Sequence, residues 1–147
     1  MSIKRVQVLK WVDQFTELTA SNFHNKVRSI FASDEYFKRF KCYQEVAVKD
    51  LVPTYPYINH HYDWYIPKLN TVIELHGRQH YQMVNFGSIG YDEANQNFIN
   101  MRERDHLKQI AAQENGYRYV EIPYKAYAKL NAATLKKYIL GELNDNS

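Results

Sequence analysis

A chain of 147 residues, 45% hydrophobic and 24% charged, has material for one buried core and not for two, so a single domain is expected over 1–147. Its lone Cys42 excludes an internal disulfide and a thiolate zinc site, which leaves oxygen and imidazole as the ligands of any metal. The formal charge of +3 selects no partner, and the opening MSIKRVQVLKWVDQF has charges breaking every apolar stretch, so neither a signal peptide nor a membrane span is expected and the protein is expected in the cytoplasm.

Helical spacing of Val6, Leu9, Val12 and Phe15 predicts an N-terminal helical extension over 1–20, and Ser21 reads as the N-cap of a second helix, NFHNKVRSIF. CYQEVAVKDLV alternates as a strand that ends near Pro53, and PTYPYINH reads as loop. HHYDWYIP, closed by Pro67, and LNTVIELHG are two more strands with Asn70 at the turn between them. The glycine-bearing MVNFGSIGY leads into one long helix over 92–115, acidic in its first turn and stopped by Gly116. YRYVEIP is a fourth strand, and AYAKLNAATLKKYILGEL an amphipathic helix that Asn131 can break. The order of elements is that of an α/β layered protein.

Alternation along the third strand projects Glu74 and His76 to one face and Ile73 and Leu75 to the other. Asp63, on the strand before, can meet them across the sheet. A carboxylate pair of this kind suits a hard divalent cation such as Mg²⁺, which keeps several waters and would polarise a phosphoryl oxygen while a nearby base takes a proton from water. The base is sought among the histidines. In the long helix Ala94, Phe98, Met101 and Asp105 are spaced four, three and four apart, which sets Asp105 on an apolar stripe where it needs a partner. His80 is the candidate; the plainer alternative is a surface pair with Arg102 or Arg104. For Asp63 and Glu74 the plainer alternative is a structural ion pair. Glu45 reads as a strand-edge carboxylate, with an accessory metal ligand as the alternative, and His60 and His61 as solvated surface.

Arg78, Gln79, Phe86, Arg102, Arg104 and Lys108 are the candidate nucleic-acid contacts, with Lys49 and Arg118 as further cations for phosphates. Phe86, in a loop with Met83 and Tyr91, suits an apolar wedge entering a DNA groove, or equally a lid packed on the core.

The run YDWYIPKLNTVIELHGRQHY, followed by RERD and then GYRYVEIPY, resembles the branch of the PD-(D/E)XK nuclease superfamily that holds the very-short-patch mismatch repair endonuclease and related phage homing endonucleases. The resemblance covers roughly 21–124, rests on Asp63, Glu74, His76, Gly77, His80, Arg104, Asp105, Ile122 and Pro123, and leaves 125–147 as a C-terminal helix. It implies a restriction-endonuclease-like three-layer core, with a mixed sheet of about four strands flanked by helices. By the same resemblance Asp63 is the principal Mg²⁺ ligand, with Mn²⁺ able to substitute, helped by the Leu75 carbonyl and Glu74. His80 and Asp105 become the base and its orienting partner, and His76 contacts the scissile phosphate. The chain departs from the family in three places. His24 stands three residues after Ser21 where relatives carry glutamate, and is a candidate site residue. His76 replaces the usual lysine. The cysteines of the mismatch-repair enzyme's structural zinc are absent, which argues against mismatch repair itself.

The function expected is a Mg²⁺-dependent, site-specific endonuclease that nicks one strand of double-stranded DNA, encoded by a phage or similar mobile element and acting as a monomer or weak dimer. The rivals are a structure-selective nuclease of junctions or flaps and a non-catalytic DNA-binding module on the same fold.

Overall fold

The computed structural model describes residues 11–84 and 86–143, without the side chains of Phe86 and Ser88. Its elements are β1 (Val12–Asp13), α1 (Asn22–Ser33), β2 (Tyr43–Ala47), α2 (Val48–Leu51), β3 (His61–Ile66), β4 (Thr71–His76), α3 (Phe86–Ile89), α4 (Tyr91–Glu114), β5 (Arg118–Pro123) and α5 (Ala132–Ile139). The strands form one five-stranded mixed sheet in the order β1-β2-β3-β4-β5. The first three joints are antiparallel, and α4 carries the chain back so that β5 runs parallel to β4. The protein is therefore α/β, with one strand more than the sequence suggests.

The extra strand lies where a helix is expected. Residues 1–10 fall outside the description, but Val12 and Asp13 pair with Gln44 and Tyr43 of β2. Two side chains hold the segment extended. Trp11 packs against Tyr43 at 5.3 Å and Tyr65 at 5.6 Å, and its indole N–H donates to Asp50 Oδ2 at 3.0 Å. Gln14, fully buried, donates to the Phe40 carbonyl at 2.7 Å and accepts from the Cys42 amide at 3.0 Å. Phe15, which the helical stripe would have buried, is 52% exposed.

Ser21 caps α1 as expected, accepting from the His24 amide at 3.1 Å. β2 is shorter than its alternation suggests. From Val48 the chain turns through α2, which sends Val48 and Val52 into the core. Between β3 and β4, Pro67 opens a tight helical turn and Asn70 closes it at φ 52°, a left-handed conformation that asparagine tolerates. Gly116, at φ 87°, ends α4. Asn131 divides the expected C-terminal helix: its side chain accepts from the Thr134 amide, so it starts α5 with a capping box.

Helices cover both faces of the sheet. On one face Val27 and Phe31 of α1 and Leu135 and Ile139 of α5 pack on Trp64, Ile66, Ile73 and Ile122. On the other, Ala111 and Ala112 of α4 pack with Val48, Val52 and Tyr55 on Tyr62 and Val72. Fully burying each such apolar side chain stabilises the fold by about 1.5–3 kcal/mol. Val72 and Ile73 serve opposite cores, as neighbours on a strand must. Tyr62 and Trp64, two residues apart, also serve opposite cores, so alternation breaks at Asp63, beside Glu45 with its φ of 50°. Among the described residues no helix is long and apolar enough to cross a membrane.

Candidate active site

The break at Asp63 has a counterpart in the ladder. β3 and β4 pair through Trp64 and Ile73, Tyr65 and Val72, and Ile66 and Thr71, and the pairing stops there. Beyond it, side chains replace main-chain partners. The Leu75 amide donates to Asp63 Oδ2 at 2.7 Å, and the Asp63 amide donates to Glu74 Oε2 at 3.0 Å. A strand residue turns its N–H and C=O to the same edge, so the Leu75 carbonyl also faces this gap. Asp63, Glu74 and Leu75 are thus brought together as expected. Burial raises both carboxyls above their ordinary range; the Leu75 amide opposes this at Asp63, and for Glu74 the neighbouring Asp63 adds to the rise while Lys108 opposes it.

Glu74 has little left to offer a cation. Its Oε1 is ion-paired with Lys108 Nζ, which also donates to the His61 carbonyl at 3.0 Å. Lys108, expected at a phosphate, is instead buried beneath the sheet, and its own carbonyl accepts from the Tyr62 hydroxyl at 2.6 Å. The signal lay in the helix: Lys108 follows Asp105 by three residues and continues the same stripe toward Ala111.

Asp105, on that stripe, is 2.7 Å from His80 Nδ1 through Oδ2 and 3.7 Å from His76 Nε2 through Oδ1. The expected partner is therefore present, and surface pairing with Arg102 or Arg104 is not what α4 provides. The two histidine rings stack at 4.0 Å, 5° from parallel. His76 also contacts Glu121 Oε1 through Nδ1 at 3.3 Å, and its Nε2 is buried without a hydrogen bond. Burial alone would lower the His76 pKa, but the hydrogen bond to Glu121 and the charges of Asp105, Glu121 and Glu74 outweigh it and leave it raised. These groups line a cavity of about 290 Å³ with Arg102 and His106. Glu121 was not foreseen; it stands opposite Glu74 in the parallel register of β5.

On the other side of Asp63 lies a second group that the sequence did not assemble. One ring nitrogen of His24 and one carboxylate oxygen each of Glu45 and Asp63 fall within 4.8 Å of one another. Glu45, taken as a strand-edge carboxylate, belongs to this group, because the break in alternation brings it to the gap.

The remaining candidates divide. Arg78 and Gln79 are exposed in the turn after β4, Arg102 lies over the Phe98 ring at 5.6 Å, and Arg104 and Gln79 line a groove of about 520 Å³ with Phe98 and Met101. Arg118 and Lys49 work inside the fold instead: Arg118 donates to Thr71 and to the Ile139 carbonyl, and Lys49 to the Tyr55 carbonyl at 2.7 Å. The Phe86 side chain lies outside the described residues, while Tyr91 is 55% exposed at the start of α4. His60, read as solvated, accepts or donates at Nδ1 with the Tyr55 hydroxyl at 2.7 Å, and its pKa is lowered by partial burial and by Arg104 and Lys108.

No protein-family model matches this chain, and no solved structure does. Among curated proteins, 62 of its residues are 39% identical to the uncharacterized protein 094L of Frog virus 3 (isolate Goorha), a stretch covering 42% of this chain and 38% of that one. The match therefore spans well under half the length of that relative.

Proposed function

We propose that this protein is a divalent-metal-dependent endonuclease that hydrolyses one phosphodiester bond of double-stranded DNA at each site. Two observations carry the reading: the gap between β3 and β4, where Asp63 meets the Leu75 amide, and the His80–Asp105 pair at the cavity beyond the end of β4. Asp63 takes the Leu75 amide on Oδ2, and the Leu75 carbonyl faces the same gap, so the donors are oxygens of the kind Mg²⁺ takes. When bound, the cation supplies positive charge to the phosphoryl and leaving oxygens.

The chain's own groups do the rest. Asp105 accepts the Nδ1 proton of His80, which leaves Nε2 with the lone pair and makes it the base for the attacking water. His76, which lines the cavity between Asp105 and Glu121 and is more basic than usual, holds the phosphate as a cation. Arg102 at this cavity, Arg104 at the groove and Arg78 in the turn after β4, all exposed, take flanking phosphates. The gap between antiparallel strands is the frame on which the restriction-endonuclease-like reading rests. One constellation cuts one strand, so the finer reading is a site-specific nickase of a phage or similar element, working inside the host cell as a monomer or weak dimer.

Supercoiled plasmid with Mg²⁺ or Mn²⁺ tests this. Open circles should accumulate first, chelation should stop the reaction, and Asp63→Ala should abolish cutting while DNA binding persists. Linear product without an open-circle intermediate at low enzyme would overturn the nickase, and no cutting with either metal would overturn the nuclease.

A further inference from the structure

We propose that His24 is a direct imidazole ligand of the cation, completing a site with Asp63 and Glu45, and that it makes this protein prefer transition-metal ions such as Mn²⁺ to Mg²⁺. The inference deepens the nuclease reading but concerns the metal alone.

It begins with Gln44, buried on β2. Its side-chain nitrogen donates to two carbonyls, Asp13 at 2.7 Å and Thr16 at 2.8 Å, neither of which can donate in return. That fixes the amide's orientation, so the oxygen of Gln44, 2.8 Å from His24 Nε2, must accept the hydrogen on that nitrogen. His24 therefore carries a hydrogen on Nε2, and the neutral ring that a metal takes has its lone pair on Nδ1. A ring that gives one N–H to a carbonyl and keeps the other nitrogen bare is the form in which histidine binds metal. The ring is also held in place, stacked on Trp64 at 4.9 Å and 19°, only 4% exposed, on a helix start tied down by Ser21.

The carboxylates nearby point the same way. Glu74 has Oε1 against a buried ammonium and Oε2 on the Asp63 amide, so to serve as a ligand it would have to strip Lys108 of its partner, an unfavourable exchange in a buried place. Glu45 is exposed and has no such commitment. It lies with Asp63 and His24 in the group whose donor atoms all fall within 4.8 Å of one another. Mg²⁺ favours oxygen and sheds water reluctantly, whereas first-row transition ions accept imidazole and gain affinity from it. With one imidazole beside two carboxylates, this chain offers a mixed site.

The test uses the whole free protein with the metal alone, without DNA. Mn²⁺ binding is followed by electron paramagnetic resonance, with Mg²⁺ as competitor and echo modulation as the report on a directly bound ¹⁴N. The wild type should show that nitrogen and bind Mn²⁺ at least about tenfold more tightly than Mg²⁺. His24→Gln should lose the nitrogen signal and about ten- to a hundredfold in Mn²⁺ affinity while Mg²⁺ affinity changes little. His24→Glu should bring the two metals closer together in affinity. A wild-type spectrum without bound nitrogen, or nitrogen coupling and Mn²⁺ affinity that survive His24→Gln, would overturn the proposal. Circular dichroism checks that each variant folds, and should His24→Gln not fold, the wild-type spectrum and His24→Glu decide. Plasmid cutting is scored separately: bound nitrogen without cutting would sink the nuclease and keep the metal site, and cutting without bound nitrogen would do the reverse.

Discussion

In the proposed reaction His80 serves as a base only with Asp105 taking the hydrogen on Nδ1. In Asp105→Asn the amide could present its NH₂ to that nitrogen and favour the wrong tautomer, so kcat for plasmid nicking should fall by about two to four orders of magnitude with KM for DNA nearly unchanged. A rise in KM of the same size, with kcat unchanged, would place Asp105 in binding instead. The pairing was legible before any coordinates, because strand alternation sets Glu74 with His76 and helical spacing sets Asp105 on the stripe facing them. Lys108 was not, and Glu45 only as the less favoured of two readings. The stripe pattern extended to Lys108, yet lysine reads as surface by default, and only the proximity of Glu74 explains a buried ammonium. Glu45 reaches the gap through a backbone conformation that alternation does not foresee.

At the scale of elements, composition and punctuation served well wherever a residue type has one dominant use. Ser21, Asn70 and Gly116 mark a cap, a turn and a helix end, and each does so in the fold. β1 escaped because a two-residue strand leaves no periodic trace, and because Val12 and Phe15 happen to fit a helix. What makes it a strand is Gln14, whose amide serves backbone groups of Phe40 and Cys42 that are far away in sequence. Gln14→Leu should therefore destabilise the protein by about 3 kcal/mol, since it strands a buried carbonyl and a buried N–H at once. Chemical denaturation measures this; a change below about 1 kcal/mol would mean that the neighbouring groups find other partners.

Over the whole molecule, the sheet consists of a meander of three strands and a parallel pair, joined by the three rungs from Trp64 and Ile73 to Ile66 and Thr71. Order and class followed from the chain because each strand stands alone between clear breaks; that the joint is partial did not, since it depends on carboxylates taking over from carbonyls. The consequence is mechanical. Two plates riveted along half their seam behave like jaws: the riveted half is locked by Trp64 and Ile73 in the core, while the other half is held by side chains alone, Asp63 and Glu74 across the gap and Lys108 from α4. Amide hydrogen exchange should register it, with Leu75 losing protection well before Ile73, and a bound divalent ion clamping the mouth and slowing Leu75 while Ile73 stays as it was. Equal protection at both amides would mean that the jaws are fused.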